Sequence, residues 1–167
     1  MKTRLRHLWL ALATLPGLLR DGRQRRLFAE MRALSRRLPQ LMQQPLPDAM
    51  QALGNGSAPV DQAEDDVRRP ADLAALLARR SPVGYCLRRS LLRYHFLQRA
   101  GLPLGVVFGA RLRSSTRRQE GRALQRVPPE QSGIAGHAWV TLDGAPHHEP
   151  DENWRSFHVI YSWPQGE

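Results

Sequence analysis

The chain's single cysteine, Cys86, lies in the run Pro82-Val83-Gly84-Tyr85-Cys86-Leu87-Arg88-Arg89-Ser90-Leu91. A Ser81-Pro82 stop and a flexible Gly84 precede it, and Leu87, Leu91, Tyr94 and Leu97 follow at spacings of four, three and three. That spacing predicts an amphipathic helix starting at the cysteine. A thiol at a helix start feels unpaired backbone N–H groups and the positive end of the helix dipole, and both favour thiolate. The chemistry on offer is nucleophilic attack, given a base to take the thiol proton. Downstream, Gly136-His137-Ala138-Trp139-Val140 supplies a histidine on a predicted strand. The plainer alternatives are a buried, inert thiol and a satisfied core histidine.

A third group is needed to orient His137. Asp143-Gly144 is a strong two-residue hairpin signal. A hairpin there returns residues 147–149 beside 137–139. Glu149 is then the carboxylate next to the histidine strand, and Asp151 takes its place if the register slips. Asp143 is better explained by the turn itself. The competing reading of Glu149 and Asp151 is an exposed acidic loop. His95 lies nine residues past Cys86 in the same helix, about 13 Å along its axis, and cannot serve the thiol. His147 and His148, with Glu149 and Asp151, have the residue types of a metal cluster. Adjacent strand residues point to opposite faces, however, and no tetrahedral ligand set with ordinary spacing appears. The expectation is no metal and no cofactor in the chemistry.

The elements that would position these groups follow from the pattern. Residues 1–46 read as basic and helical. An apolar run over 8–19, broken at Pro16-Gly17, falls short of the roughly 20 residues a membrane span needs. It is expected to pack as a helix on the domain; a membrane-surface helix and a signal peptide are the alternatives. A second helix is expected over 25–38, stopping at Pro39. Residues 43–60 read as a loop with one short helical turn near 48–53. Acidic residues 61–66 could open a short helix, and a better one starts at Pro70-Ala71-Asp72 and runs to Arg79-Arg80. Gly101-Leu102-Pro103 ends the cysteine helix. Strands are expected over 104–112, 136–142, 145–149 and 156–162, with a long polar loop over 114–133. Helices first, then three or four antiparallel strands packed on the cysteine helix, is an α+β order. The expected division is a basic helical region with a Pro/Gly-rich linker over 1–70 and a core over 71–167.

The segment CLRRSLLRYHFLQRAGLPLGVVFGARL, followed by GHAWVTLDGAPHHEPDEN, resembles the lasso-peptide biosynthesis B proteins. These are transglutaminase-like cysteine peptidases that remove the leader from a ribosomally made precursor peptide. The likeness covers roughly residues 80–162. Its signals are a Cys-Leu-x-Arg-Ser-Leu helix, a Gly-Leu-Pro turn, a glycine-bearing apolar strand, and His-Ala-Trp-Val before an Asp-Gly turn. It implies a transglutaminase/papain-like core, Cys86 as nucleophile, His137 as base, and Glu149 where the family more usually has Asp. Two departures stand out. The arginine-rich loop between the two blocks is long for the family, and residues 1–70 do not read as a winged-helix leader-recognition module. The resemblance therefore implies a separate leader-recognition protein, a precursor peptide and a macrolactam synthetase as partners, with any ATP dependence entering through a partner. A transglutaminase-like acyl or amide transfer enzyme and a non-catalytic partner-binding scaffold are the alternatives.

Composition sets outer bounds. The 167 residues carry a formal charge of +10, and Lys2 is the only lysine. The charge attracts acidic partners. No nucleic-acid-binding module accompanies it, so nucleic acid is not expected as a partner. A lone cysteine excludes an intrachain disulfide and is compatible with the cytoplasm. The N-terminal helix is the one segment expected to touch a membrane.

Overall fold

The computed structural model describes residues 2–54, 58–112, 116–117, 125–126, 133–149 and 152–164. Helix α1 (Lys2–Arg20) and helix α2 (Gly22–Leu41) are separated by Asp21, whose carboxylate accepts from the Arg23 N–H at 2.7 Å and caps α2. An aspartate in that place satisfies one of the first-turn donors. Helix α1 runs straight through Pro16, and α2 runs past Pro39 to Leu41, so neither proline is the break its residue type predicts. In α2, Leu27, Met31 and Leu38 are buried along one stripe. The short helical turn expected near 48–53 is a nine-residue helix, α3 (Leu46–Gly54), which buries Ala49, Met50 and Leu53.

Helix α4 (Glu64–Leu77) begins six residues before Pro70, where a start was expected. Glu64, Asp65 and Asp66 fill its first turn, where the dipole favours acid. Pro70 cannot donate to the Asp66 carbonyl. Gln24 of α2 supplies the missing donor, its Nε2 reaching that carbonyl at 3.2 Å. A division of the chain at residue 70 would therefore cut α4. Leu27, Met31 and Leu38 before that point share one buried cluster with Leu91, Val106 and Val140 after it.

Helix α5 (Tyr85–Arg99) starts where the cysteine pattern places it. It ends in a Schellman turn: Gly101 has φ +91, its N–H reaches the Gln98 carbonyl at 2.9 Å, and the Leu102 N–H reaches the Leu97 carbonyl at 3.0 Å. Strand β1 (Leu104–Leu112) follows, then the two-residue strands β2 (Thr116–Arg117) and β3 (Gln125–Arg126), which pair with each other. Strand β4 (Ile134–Leu142) turns through Asp143 (φ 50) and Gly144 (φ 78) into the short strand β5 (Ala145–Pro146). A 3₁₀ turn (Glu152–Ser156) leads to β6 (His158–Trp163).

The main sheet has the order β5-β4-β1-β6, with every pairing antiparallel. Val106 pairs with Val140 and Phe108 with Ala138, so these four side chains share a face. That face is in the buried cluster with Leu91 and Leu97 of α5. Helix α5 is thus sandwiched between the sheet and helices α2, α3 and α4. The chain is α+β, with five α-helices and a four-stranded antiparallel sheet among the described residues. No described helix is long and apolar enough to cross a membrane.

Candidate active site

Cys86 is the second residue of α5 and is partly exposed. The first intrahelical hydrogen bond joins the Arg88 N–H to the Gly84 carbonyl at 3.0 Å, so the Cys86 and Leu87 N–H groups lie ahead of the helical ladder. The approach to the cysteine is held from below by Arg88. Its buried guanidinium donates to the Ala75 carbonyl at 3.1 Å and to the Val83 carbonyl. It thereby caps the C-terminal turn of α4 and ties that turn to the segment before Cys86. Burial lowers the Arg88 pKa, and the neighbouring Tyr85 and Cys86 oppose that shift.

One turn after Cys86, Ser90 is fully buried and its Oγ donates to the Ala138 carbonyl at 2.8 Å. This bond pins the first turns of α5 to β4, one residue from His137. The side chains themselves diverge. Ala138 faces α5, so alternation along β4 sends His137 and Trp139 to the opposite face of the sheet. There the imidazole lies 5.1 Å from the Phe157 ring and 5.7 Å from the Trp139 ring, centroid to centroid. Trp154 stands 6.3 Å from Trp139, and the Arg111 guanidinium lies 4.4 Å over Phe157. No hydrogen bond joins Cys86 Sγ to His137 among the described residues. The sequence thus places the helix start and the histidine strand side by side, as expected, but the structure does not bring the two side chains into contact.

Burial lowers the His137 pKa. The field of Glu149 opposes this, and those of Arg89 and Arg111 add to it. Burial therefore favours the neutral, proton-accepting imidazole over the charged one.

The hairpin returns Glu149 to the histidine strand: the His147 N–H reaches the Val140 carbonyl at 2.9 Å, continuing the β4–β5 pairing. The Glu149 carboxylate does not bond the His137 imidazole, contrary to the expectation that it orients that ring. Arg89 Nη2 holds both carboxylate oxygens, at 2.5 and 2.6 Å, and Arg93 Nη1 stands 3.7 Å from one of them. Both Glu149 and Arg93 are buried. Arg93 also makes two parallel bonds to Asp72 of α4, at 2.6 and 2.7 Å. Burial works against the Arg93 cation, and the Asp72 and Glu149 carboxylates outweigh it, so its pKa is raised. Glu149 reaches His137 through its field and not through a shared proton. Asp151, the alternative carboxylate, lies outside the described residues.

Arg89, Arg93 and Asp72 were not singled out in the sequence. The available signal was the i, i+4 spacing of Arg89 and Arg93, which puts two cations on one helical face. What the sequence could not show is that the hairpin delivers a carboxylate to that face.

One expectation fails on geometry. His147 and His148 do not point to opposite faces. The last pairing bond comes from the His147 N–H, and His148 takes a left-handed backbone (φ 52), so strand alternation no longer applies between them. Both rings turn to Glu64 at the start of α4, each Nε2 lying 2.7 Å from the same carboxylate oxygen.

Comparisons with protein-family models, with curated proteins and with solved structures found no match to this chain. The fold and site define it only as an α+β protein with a partly exposed thiol at a helix start, stapled to a strand that bears a histidine.

Proposed function

We propose that the chain is a cysteine peptidase of transglutaminase-like fold that removes the leader from a ribosomally made precursor peptide. The observation that carries the reading is the Ser90–Ala138 hydrogen bond, which locks the helix start bearing Cys86 to the strand bearing His137. A thiol at a helix start and a histidine on the adjoining strand supply the residue types of a nucleophile and its base, although His137 faces away from α5 across the sheet. In this reading Cys86 Sγ attacks the scissile carbonyl and His137 takes the thiol proton, then delivers it to the departing amine. Water next attacks the thioester, releasing the acid and restoring the thiol. The Cys86 N–H faces the developing oxyanion. Glu149, clamped by Arg89, sets the field at the imidazole.

The resting geometry leaves the thiol and imidazole apart, and catalytic hydrogen bonds commonly tighten only in the substrate complex. In this proposal the adjustment falls in β4. Bringing His137 to the α5 face requires β4 to shift by one residue against β1, where His137 pairs with Gly109. A leader-recognition protein and a macrolactam synthetase are the partners of this reading, and the cytoplasm its compartment. Substituting an amine for water as acceptor would make the same site an acyl-transfer enzyme.

A second reading is favoured by one specific observation. The Glu149 carboxylate is committed to Arg89 rather than to His137, as it would be in a scaffold that retains the fold and binds a partner without chemistry. Incubating precursor and recognition partner with the wild type, Cys86→Ala and His137→Ala, followed by mass spectrometry, separates the two. The peptidase gives leader and core fragments that both substitutions abolish; uncleaved precursor with the wild type, or fragments that survive Cys86→Ala, would end it. A labelled amine in the same mixture reports transfer by its mass.

A further inference from the structure

Away from Cys86, three side chains with metal-ligating atoms converge without any role in the chemistry above. Glu64 opens α4, and His147 and His148 follow β5. One ligand atom from each lies within 4.8 Å of the other two. The two imidazoles approach a single carboxylate oxygen, and their ring centroids are 4.3 Å apart at 67°. Neighbouring residues on a regular strand cannot do this. The left-handed turn at His148 makes it possible, and that conformation is costly for a residue with a Cβ.

The framework around the three is built to hold them. The His147 N–H is fixed to the Val140 carbonyl at 2.9 Å, and the His148 carbonyl accepts from Arg93 Nη1 at 3.1 Å. Arg93 is itself locked by Asp72. Arg68 acts on the His148 ring, and its charge is engaged by Asp65 at 2.5 Å and faced by Asp72 at 3.8 Å. The local field therefore does not exclude a second cation.

We infer that Glu64, His147 and His148 form a binding site for a divalent ion of borderline softness, zinc or a close relative, which ties the start of α4 to the β4–β5 hairpin. Two imidazoles and one carboxylate are the ligand set such ions take, with a fourth position left for water or another ligand. Each Nε2 now donates to Glu64, so binding exchanges the tautomer: the proton moves to Nδ1 and the Nε2 lone pair faces the ion. The rings then close from hydrogen-bond distance to about 2.0–2.1 Å from the metal. The inference does not depend on the peptidase reading, because none of the three residues acts in it.

The test uses the full chain carrying Cys86→Ser, so that the thiol cannot contribute a ligand. Zinc is titrated by calorimetry, and cobalt(II) by its visible bands. The expected result is one equivalent bound, with tetrahedral or five-coordinate cobalt bands, and affinity lowered at least about tenfold by Glu64→Ala and by His148→Ala. A zinc-dependent rise in melting temperature, absent in Glu64→Gln and His148→Gln, supports the same conclusion should an alanine variant fold poorly. No saturable binding, or binding that survives both substitutions and is lost in His95→Gln or His158→Gln, overturns it.

Discussion

Arg93 of α5 meets Asp72 of α4 through two parallel hydrogen bonds of 2.6 and 2.7 Å, and both residues are buried. Removing one partner leaves the other buried with only a longer ion pair, Arg93 to Glu149 at 3.7 Å or Asp72 to Arg68 at 3.8 Å. Asp72→Ala and Arg93→Ala should each cost about 3–5 kcal/mol, read from urea or thermal unfolding. An Asp72→Leu, Arg93→Met pair removes both charges and should cost less than the sum of the singles. Arg93→Ala should also disturb the site, because Arg93 faces Glu149 and holds the His148 carbonyl. Additive losses would show that the pair is not coupled.

Gly109 marks a close approach on the aromatic face. It pairs with His137 across β1 and β4. A Cβ there would lie 2.8 Å from Phe157 Cβ and 2.9 Å from a Trp139 ring carbon. Both distances are shorter than real carbon contacts, and neither neighbour is a flexible side-chain end. Gly109→Ala should therefore destabilise by about 1–3 kcal/mol and alter the near-UV circular dichroism of the tryptophans. Unchanged stability would mean that the rings beside His137 are loosely packed.

The His137 pKa is lowered from its ordinary value of 6.5, chiefly by burial. Two consequences share one sign. The neutral base persists to lower pH than a free imidazole, so the acid limb of kcat/KM should fall below 6.5. In unfolding, the denatured chain takes up the proton first as pH drops. The stability contribution is whole above 6.5 and is lost as pH falls through the folded value. Burial acts on His95 in the same direction. His137→Gln should make the loss of stability between about pH 7 and 5 shallower, measured by urea midpoints, without abolishing it. An identical slope would assign the effect elsewhere.

The parts of this arrangement that were legible in the sequence are those fixed by local chemistry. Asp143-Gly144 takes two successive left-handed conformations, which only such residues adopt readily in a two-residue hairpin. Gly101 closes α5 for the same reason. The apolar spacing through Leu91 and Leu97 placed α5 correctly because one stripe of that helix is buried. What misled was proline. Pro39 and Pro70 read as boundaries, yet α2 and α4 continue through them. Tertiary packing outweighed the local penalty, and at Pro70 a distant glutamine satisfied the orphaned carbonyl. The partners of Glu149 were illegible for a related reason. A hairpin register names the neighbour on the next strand, but not the helix lying over it.

That compensation at Pro70 can be measured. Gln24 Nε2 donates to the Asp66 carbonyl at 3.2 Å, the group that residue 70 would bond in an unbroken helix. The same amide nitrogen reaches Gln62 Oε1 at 3.3 Å. Gln24→Ala alone should cost about 1–2 kcal/mol, since it leaves the carbonyl without a donor inside the packed helices. In a Pro70→Ala background, the residue-70 N–H takes up that carbonyl, and the same Gln24→Ala change should cost measurably less. The difference between the two costs is the coupling energy of a double-mutant cycle, and it should fall between about 0.5 and 1.5 kcal/mol. Equal costs in both backgrounds would mean that Gln24 stabilises α4 through Gln62 and packing, with no part in rescuing the helix from its proline.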